Sequence, residues 1–102
     1  MDGKINLEIP KEKIVDFCKK NNILKLSLFG SALGSNFRLD SDIDILVEFE
    51  PGKGPTLLGF AKMERELTEV IGRRVDLRTP NELSIYFRNQ ILSTAQVKYA
   101  RG

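Results

Sequence analysis

Apolar positions along this chain change period several times, and each change marks an element. Between Lys11 and Lys20, Ile14, Val15, Phe17 and Cys18 group on one side of a 3.6-residue repeat, which predicts an amphipathic helix stopped by Asn21 and Asn22. Leu24, Leu26 and Leu28 then alternate with Lys25 and Ser27 up to Phe29, as in a strand with one buried face, and Gly30-Ser31 ends it. The polar, Gly/Ser/Asn-rich run from Ala32 to Ser41, around Phe37 and Leu39, predicts a turn. The clearest strand is Asp42 to Phe49. Its odd positions Ile43, Ile45, Val47 and Phe49 form an apolar face, while Asp42, Asp44 and Glu48 share the opposite face with Leu46.

A connector, Pro51-Gly52-Lys53-Gly54-Pro55, leads to a second helix. Leu57, Phe60, Met63, Leu67, Val70 and Ile71 recur there at intervals of three or four up to Gly72. Arg74 to Arg78 reads as a short strand with Val75 and Leu77 inward and Asp76 outward. A last helix is expected from Leu83 to Thr94, with Ile85, Tyr86, Phe87, Ile91 and Leu92 packing in the core, before an extended tail around Val97 and Tyr99. No repeat or linker interrupts the pattern. A chain of 102 residues fits one α/β domain over residues 1–102, and it is long enough for a single modest core.

Composition removes whole classes of function. Hydrophobic residues at 41%, charged residues at 29% and a mean hydropathy of -0.22 are globular values, not those of a disordered or low-complexity chain. Sixteen Lys plus Arg against fourteen Asp plus Glu leave a net charge of +2, so direct nucleic-acid binding is not expected. No apolar run approaches the roughly eighteen residues of a membrane span and no signal segment opens the chain, so a cytoplasmic protein with no membrane contact is expected. The lone Cys18 excludes an intrachain disulfide and a cysteine-rich zinc site, and is read as core packing. Histidine is absent, which excludes Ser-His-Asp triads, Cys-His pairs and His-ligated zinc. Chemistry must therefore rest on carboxylates, Lys, Arg, hydroxyls or a hard metal ion.

Three features meet at the predicted strand ends: Gly30-Ser31, Asp42-x-Asp44 and Asp76. Side chains two apart on a strand share a face, so the Asp42 and Asp44 carboxylates project together and repel unless a cation relieves them. Oxygen-only ligands suit Mg2+ or Mn2+, which keep positions open for phosphates. A glycine turn lets backbone N–H groups approach a phosphate, and the Ser31 hydroxyl can donate another bond, so a nucleoside triphosphate fits. Two ions held by Asp42, Asp44 and Asp76 could polarise the α-phosphate and activate an attacking hydroxyl, with Asp76 nearest the nucleophile. Taken alone, an Asp pair on an exposed strand face is more often a solvated edge. The full string of Gly-Ser, ten residues and Asp-x-Asp arises by chance on the order of once in a thousand such chains.

The segment Leu28-Phe29-Gly30-Ser31, continued by Ser41-Asp42-Ile43-Asp44-Ile45-Leu46-Val47, resembles the signature of the DNA polymerase beta-like nucleotidyltransferase superfamily. Glu48 to Gly52, Glu64-Arg65-Glu66-Leu67 and Gly72-Arg73-Arg74-Val75-Asp76-Leu77 resemble the minimal nucleotidyltransferases encoded beside HEPN-domain partners, so the likeness covers Ile14 to Tyr99. It implies a small mixed β-sheet flanked by helices, the nucleotidyltransferase fold. It places Gly30 and Ser31 at the triphosphate, Asp42 and Asp44 on Mg2+, and Asp76 as third carboxylate. The implied activity is AMP transfer from ATP to a tyrosine hydroxyl of a HEPN RNase toxin, with the chain as antitoxin in a hetero-oligomer. One departure is that Gly34 stands where relatives carry arginine; Arg38 could substitute.

Two other readings are weighed. An antitoxin of the same fold could silence its toxin by occlusion alone, although the complete carboxylate set argues against it. Transfer to a small molecule ranks last, because one short domain has little surface for an acceptor beyond the nucleotide. Lys53, Arg73 and Arg74 are candidates for touching phosphate or partner, but loop cations are more often simply solvated.

Overall fold

The computed structural model describes residues 9–30 and 42–101. Helix α1 (Lys11–Lys20) starts after Pro10 and buries Ile14, Phe17 and Cys18, spaced by three and four. It ends where Asn21 donates to the Phe17 carbonyl through both its backbone N–H, at 3.2 Å, and its side-chain amide, at 2.8 Å. Asn22 then takes a left-handed φ of 57°, a conformation Asn tolerates better than most residues, and turns the chain into β1 (Ile23–Phe29).

Strand β2 (Ile43–Phe49) pairs antiparallel with β1, as its neighbour β4 (Gln96–Ala100) does on the other side; β3 (Val75–Arg78) pairs parallel with β2. The order β3-β2-β1-β4 makes a mixed sheet, as expected. Parallel neighbours need a crossover, and α2 (Leu57–Ile71) supplies it. Its start is capped by Thr56, whose Oγ1 accepts from Gly59 N–H at 3.1 Å, and its end by Gly72 at φ 79°.

One face of the sheet carries the main core. Ile43, Ile45 and Val47 of β2 meet Leu26 and Leu28 of β1, Ile14, Phe17 and Cys18 of α1, and Met63 and Leu67 of α2, all buried. Leu46 and its cross-strand partner Ser27 are also buried, so β2 is covered on both faces at its centre. Among the described residues no helix is long and apolar enough to cross a membrane.

Two expectations need correction. The apolar stripe of α2 is expected to begin at Leu57, yet Leu57 and Leu58 are 92% and 78% exposed, and the buried residues of the helix are Met63 and Leu67. The helix expected over Leu83–Thr94 is broken: Pro80–Glu82 forms a 3-10 turn, Leu83 is extended, and α3 covers only Arg88–Thr94. The break lies at the extended Leu83, and helical turning begins at Ser84, whose hydroxyl accepts from Tyr86 N–H and whose carbonyl accepts from Phe87 N–H at 3.0 Å and Arg88 N–H at 2.8 Å. Ile85, Tyr86 and Phe87 in that first turn are exposed and not packed in the core. The tail around Val97 and Tyr99 is extended as expected, and it becomes an edge strand.

Burial pushes the Cys18 thiol from its ordinary 9.0 up to about 12. In the unfolded chain the thiol ionises first, so its contribution to stability is complete below pH 9 and is lost as pH rises towards 12. Urea titrations over that window should show wild type losing up to about 4 kcal/mol more stability than Cys18→Ala. At neutral pH a thiol reagent should label Cys18 only after denaturation.

Candidate active site

The site is built where β2 and β3 run side by side. Asp44 is the second residue of β2 and Asp76 the second of β3, and the parallel register makes them direct partners. Their Cα atoms therefore stand about 4.8 Å apart, with both side chains on one face of the sheet. The opposite neighbour of Asp44 is Phe29, and Gly30 follows it at a φ of 67°. The left-handed φ favours glycine, and a Cβ on Gly30 would run into the Asp44 carboxylate at Oδ2 and Cγ, so that the carboxylate would have to move. Asp42, exposed just ahead of β2, lies beside the end of β3, where Ile43 N–H donates to the Arg74 carbonyl at 2.8 Å.

An open cleft of about 670 Å³ lies along this edge, with Asp42, Asp76, Glu64, Arg65, Thr68 and Arg74 in its lining. Glu64 and Thr68 are one helical turn apart on α2 and have a positioning task that sequence reading missed. Thr68 Oγ1 accepts from Val75 N–H at 3.1 Å and Glu64 Oε2 from Leu77 N–H at 2.8 Å, on either side of Asp76. These are the outward-facing donors of an edge strand, which would otherwise lack partners in the sheet. The four-residue spacing was visible in the sequence, but nothing there linked α2 to the edge of β3.

Asp76 is half-buried, and its carboxylate is engaged by Arg78, with Nε 3.0 Å from Oδ1. That hydrogen bond and the adjacent charge raise the Arg78 guanidinium further above its usual range. Among the described residues, no three metal-ligating side chains converge on a point that could hold an ion as they stand. The register thus brings Asp44 and Asp76 together and Asp42 to the same edge, while the three carboxylates remain unconverged. Ser31, Gly34 and Arg38 lie outside the described residues. The donor set nevertheless fits a hard divalent cation, being all oxygen, carried on neighbouring strands, and backed by a glycine that leaves space beside Asp44.

Comparison with known proteins shows the family. The polymerase beta, nucleotidyltransferase family matches residues 12–101. A Methanocaldococcus jannaschii protein with the provisional name protein adenylyltransferase MJ0435 is 37% identical over 91 residues, 89% of this chain and 96% of that one. The crystal structure of a toxin–antitoxin with AMP-PNP overlays 91% of this chain and 75% of its own with a TM-score of 0.72 at 20% identity. A tri-AMPylated Shewanella oneidensis HEPN toxin in complex with an MNT antitoxin overlays 89% of this chain and 70% of its own, with a TM-score of 0.63 at 20% identity. At that identity the two structures share the fold.

Gly30→Ala should cost about 1–2 kcal/mol from the left-handed backbone alone, plus a further penalty from displacing the Asp44 carboxylate. Gly52→Ala is the control: Gly52 has a φ of 76° with nothing within 4 Å of an added Cβ. Urea denaturation should show Gly30→Ala to be the more destabilised of the two, and equal losses would remove the Asp44 contact from the account.

Proposed function

The chain belongs to the polymerase beta nucleotidyltransferase family, and from that premise we propose that it is a cytoplasmic, Mg2+-dependent protein adenylyltransferase. In this reading it transfers AMP from ATP to a tyrosine hydroxyl of a HEPN-domain RNase toxin and so serves as its antitoxin. The observation that carries the reading is the pairing of Asp44 with Asp76 beside Gly30, two carboxylates on neighbouring strands next to a glycine turn. The relatives add support, being named for protein adenylyl transfer or solved with AMP-PNP or an AMPylated HEPN toxin.

Asp42, Asp44 and Asp76 would hold the ions, probed as two Mg2+. When bound, Mg2+ supplies charge neutralisation at the α-phosphate and the pyrophosphate, and acidifies the attacking hydroxyl. Gly30, with Ser31 after it, offers N–H and hydroxyl donors to the triphosphate. Asp76 orients the tyrosine hydroxyl and takes its proton as the phenolic oxygen bonds to the α-phosphorus. The bond from that phosphorus to the bridging oxygen breaks and pyrophosphate departs. Most of the rate gain then comes from positioning and electrostatics.

The acceptor tyrosine belongs to another chain, so a protein-facing surface is needed. Ile85, Tyr86 and Phe87, exposed by 70%, 86% and 58%, make a contiguous apolar run of the kind that marks such surfaces. A hetero-oligomer with the toxin fits both features.

Incubation with α-labelled ATP, Mg2+ and the HEPN partner should label the partner, and Asp44→Asn should lower the rate by about a hundredfold or more. The Asp42→Asn, Asp44→Asn double variant separates this mechanism from occlusion. An enzyme loses neutralisation of the toxin along with transfer, whereas an occluding antitoxin keeps neutralising it.

A further inference from the structure

Arg78 has no part in the reaction just described, although Asp76, its ion-pair partner, does. Both are on β3, two residues apart, and hence on one face of the sheet. Arg78 Nε lies 3.0 Å from Oδ1 and Nη2 3.4 Å from Oδ2, so a single guanidinium faces both carboxylate oxygens. On the other side of Arg78, its Nη1 is 3.8 Å from Oε2 of Glu82 in the 3-10 turn, giving the same guanidinium a second anionic neighbour. Arg78 is the register partner of Leu46, one row beyond the Asp44–Asp76 row. Arg78 thus stands on the side of Asp76 opposite to the strand end where Asp42 lies.

The backbone cannot make the compensating move, because Thr68 and Glu64 pin the Val75 and Leu77 N–H groups on either side of Asp76. What remains adjustable is the Asp76 side chain, and Arg78 occupies it. A carboxylate whose two oxygens both accept from a guanidinium has fewer lone pairs to offer a cation.

We propose that Arg78 is a positioning residue that competes with the divalent cation for Asp76. Without a cation it holds the third carboxylate aside; when a cation takes Asp76, the guanidinium shifts to Glu82. Arg78 thereby raises the cation concentration at which the three carboxylates converge. The side chains are partly exposed, 47% for Arg78 and 33% for Asp76, so the competition tunes loading by a few-fold and does not block it. The proposal rests on reading Asp76 as a metal ligand.

Calorimetric titration of Mn2+ into the full chain, without nucleotide, tests it. Arg78→Ala should tighten Mn2+ by about two- to fivefold, with Arg78→Lys intermediate because it keeps the charge and loses the fork. Glu82→Gln should weaken Mn2+ in the wild-type background and have no effect in the Arg78→Ala background, since it acts through Arg78. In the Asp76→Asn background Arg78→Ala should have no effect. Unchanged or weaker Mn2+ binding by Arg78→Ala overturns the proposal, and so does a gain that persists with Asp76→Asn, which would be a long-range charge effect. Failure of the underlying reading is distinguishable: Asp76→Asn alone would then leave Mn2+ affinity as in wild type.

Discussion

Parallel pairing of β2 with β3 is the constraint on which the site depends. It sets Asp44 beside Asp76, two acids from segments separated by a full helix, on one face of the sheet. A slip of one residue in that register would turn Asp76 into the core and push Val75 or Leu77 out, so burial of those two side chains holds the carboxylate where it is. The crossover is specified locally: Thr56 starts α2, Gly72 ends it in a left-handed turn, and Met63 and Leu67 seat it on the core. The same helix then returns Thr68 and Glu64 to the β3 backbone, so one element sets both the register and the edge of the strand.

That arrangement concentrates negative charge, and the surrounding residues temper it. Arg78 pairs with Asp76, and Arg65 and Arg74 border the cleft shared with Asp42. The absence of a Cβ at position 30 lets the Asp44 carboxylate sit close to the backbone. In the reading proposed above, the acidic cluster balanced here by its own arginines is the one that external cations would balance in their place.

The opposite economy appears past β3. A domain this small spends its apolar residues on one core, yet Ile85, Tyr86 and Phe87 are left outside it. They occupy the turn between Ser84 and α3, after the extended Leu83. In the reading proposed above, the segment provides a face for the protein that carries the acceptor hydroxyl.

Much of this was legible from the amino-acid order. Period-two alternation marked β1 and β2, helical spacing marked α1 and α2, and Gly30, Asp42, Asp44 and Asp76 stood out because no histidine and one cysteine left little other chemistry. These features are local, set by side-chain period and composition. Leu83–Phe87 misled, because apolar spacing does not say whether the fold provides a surface to cover those side chains. Strand order, the adjacency of Asp44 and Asp76, the Thr68 and Glu64 contacts and the Arg78 fork were decided only in three dimensions. Apart from the Arg78 fork, whose two residues share a strand face by the period of two, each joins segments whose separation along the chain carries no period, and packing of the shared core selects it.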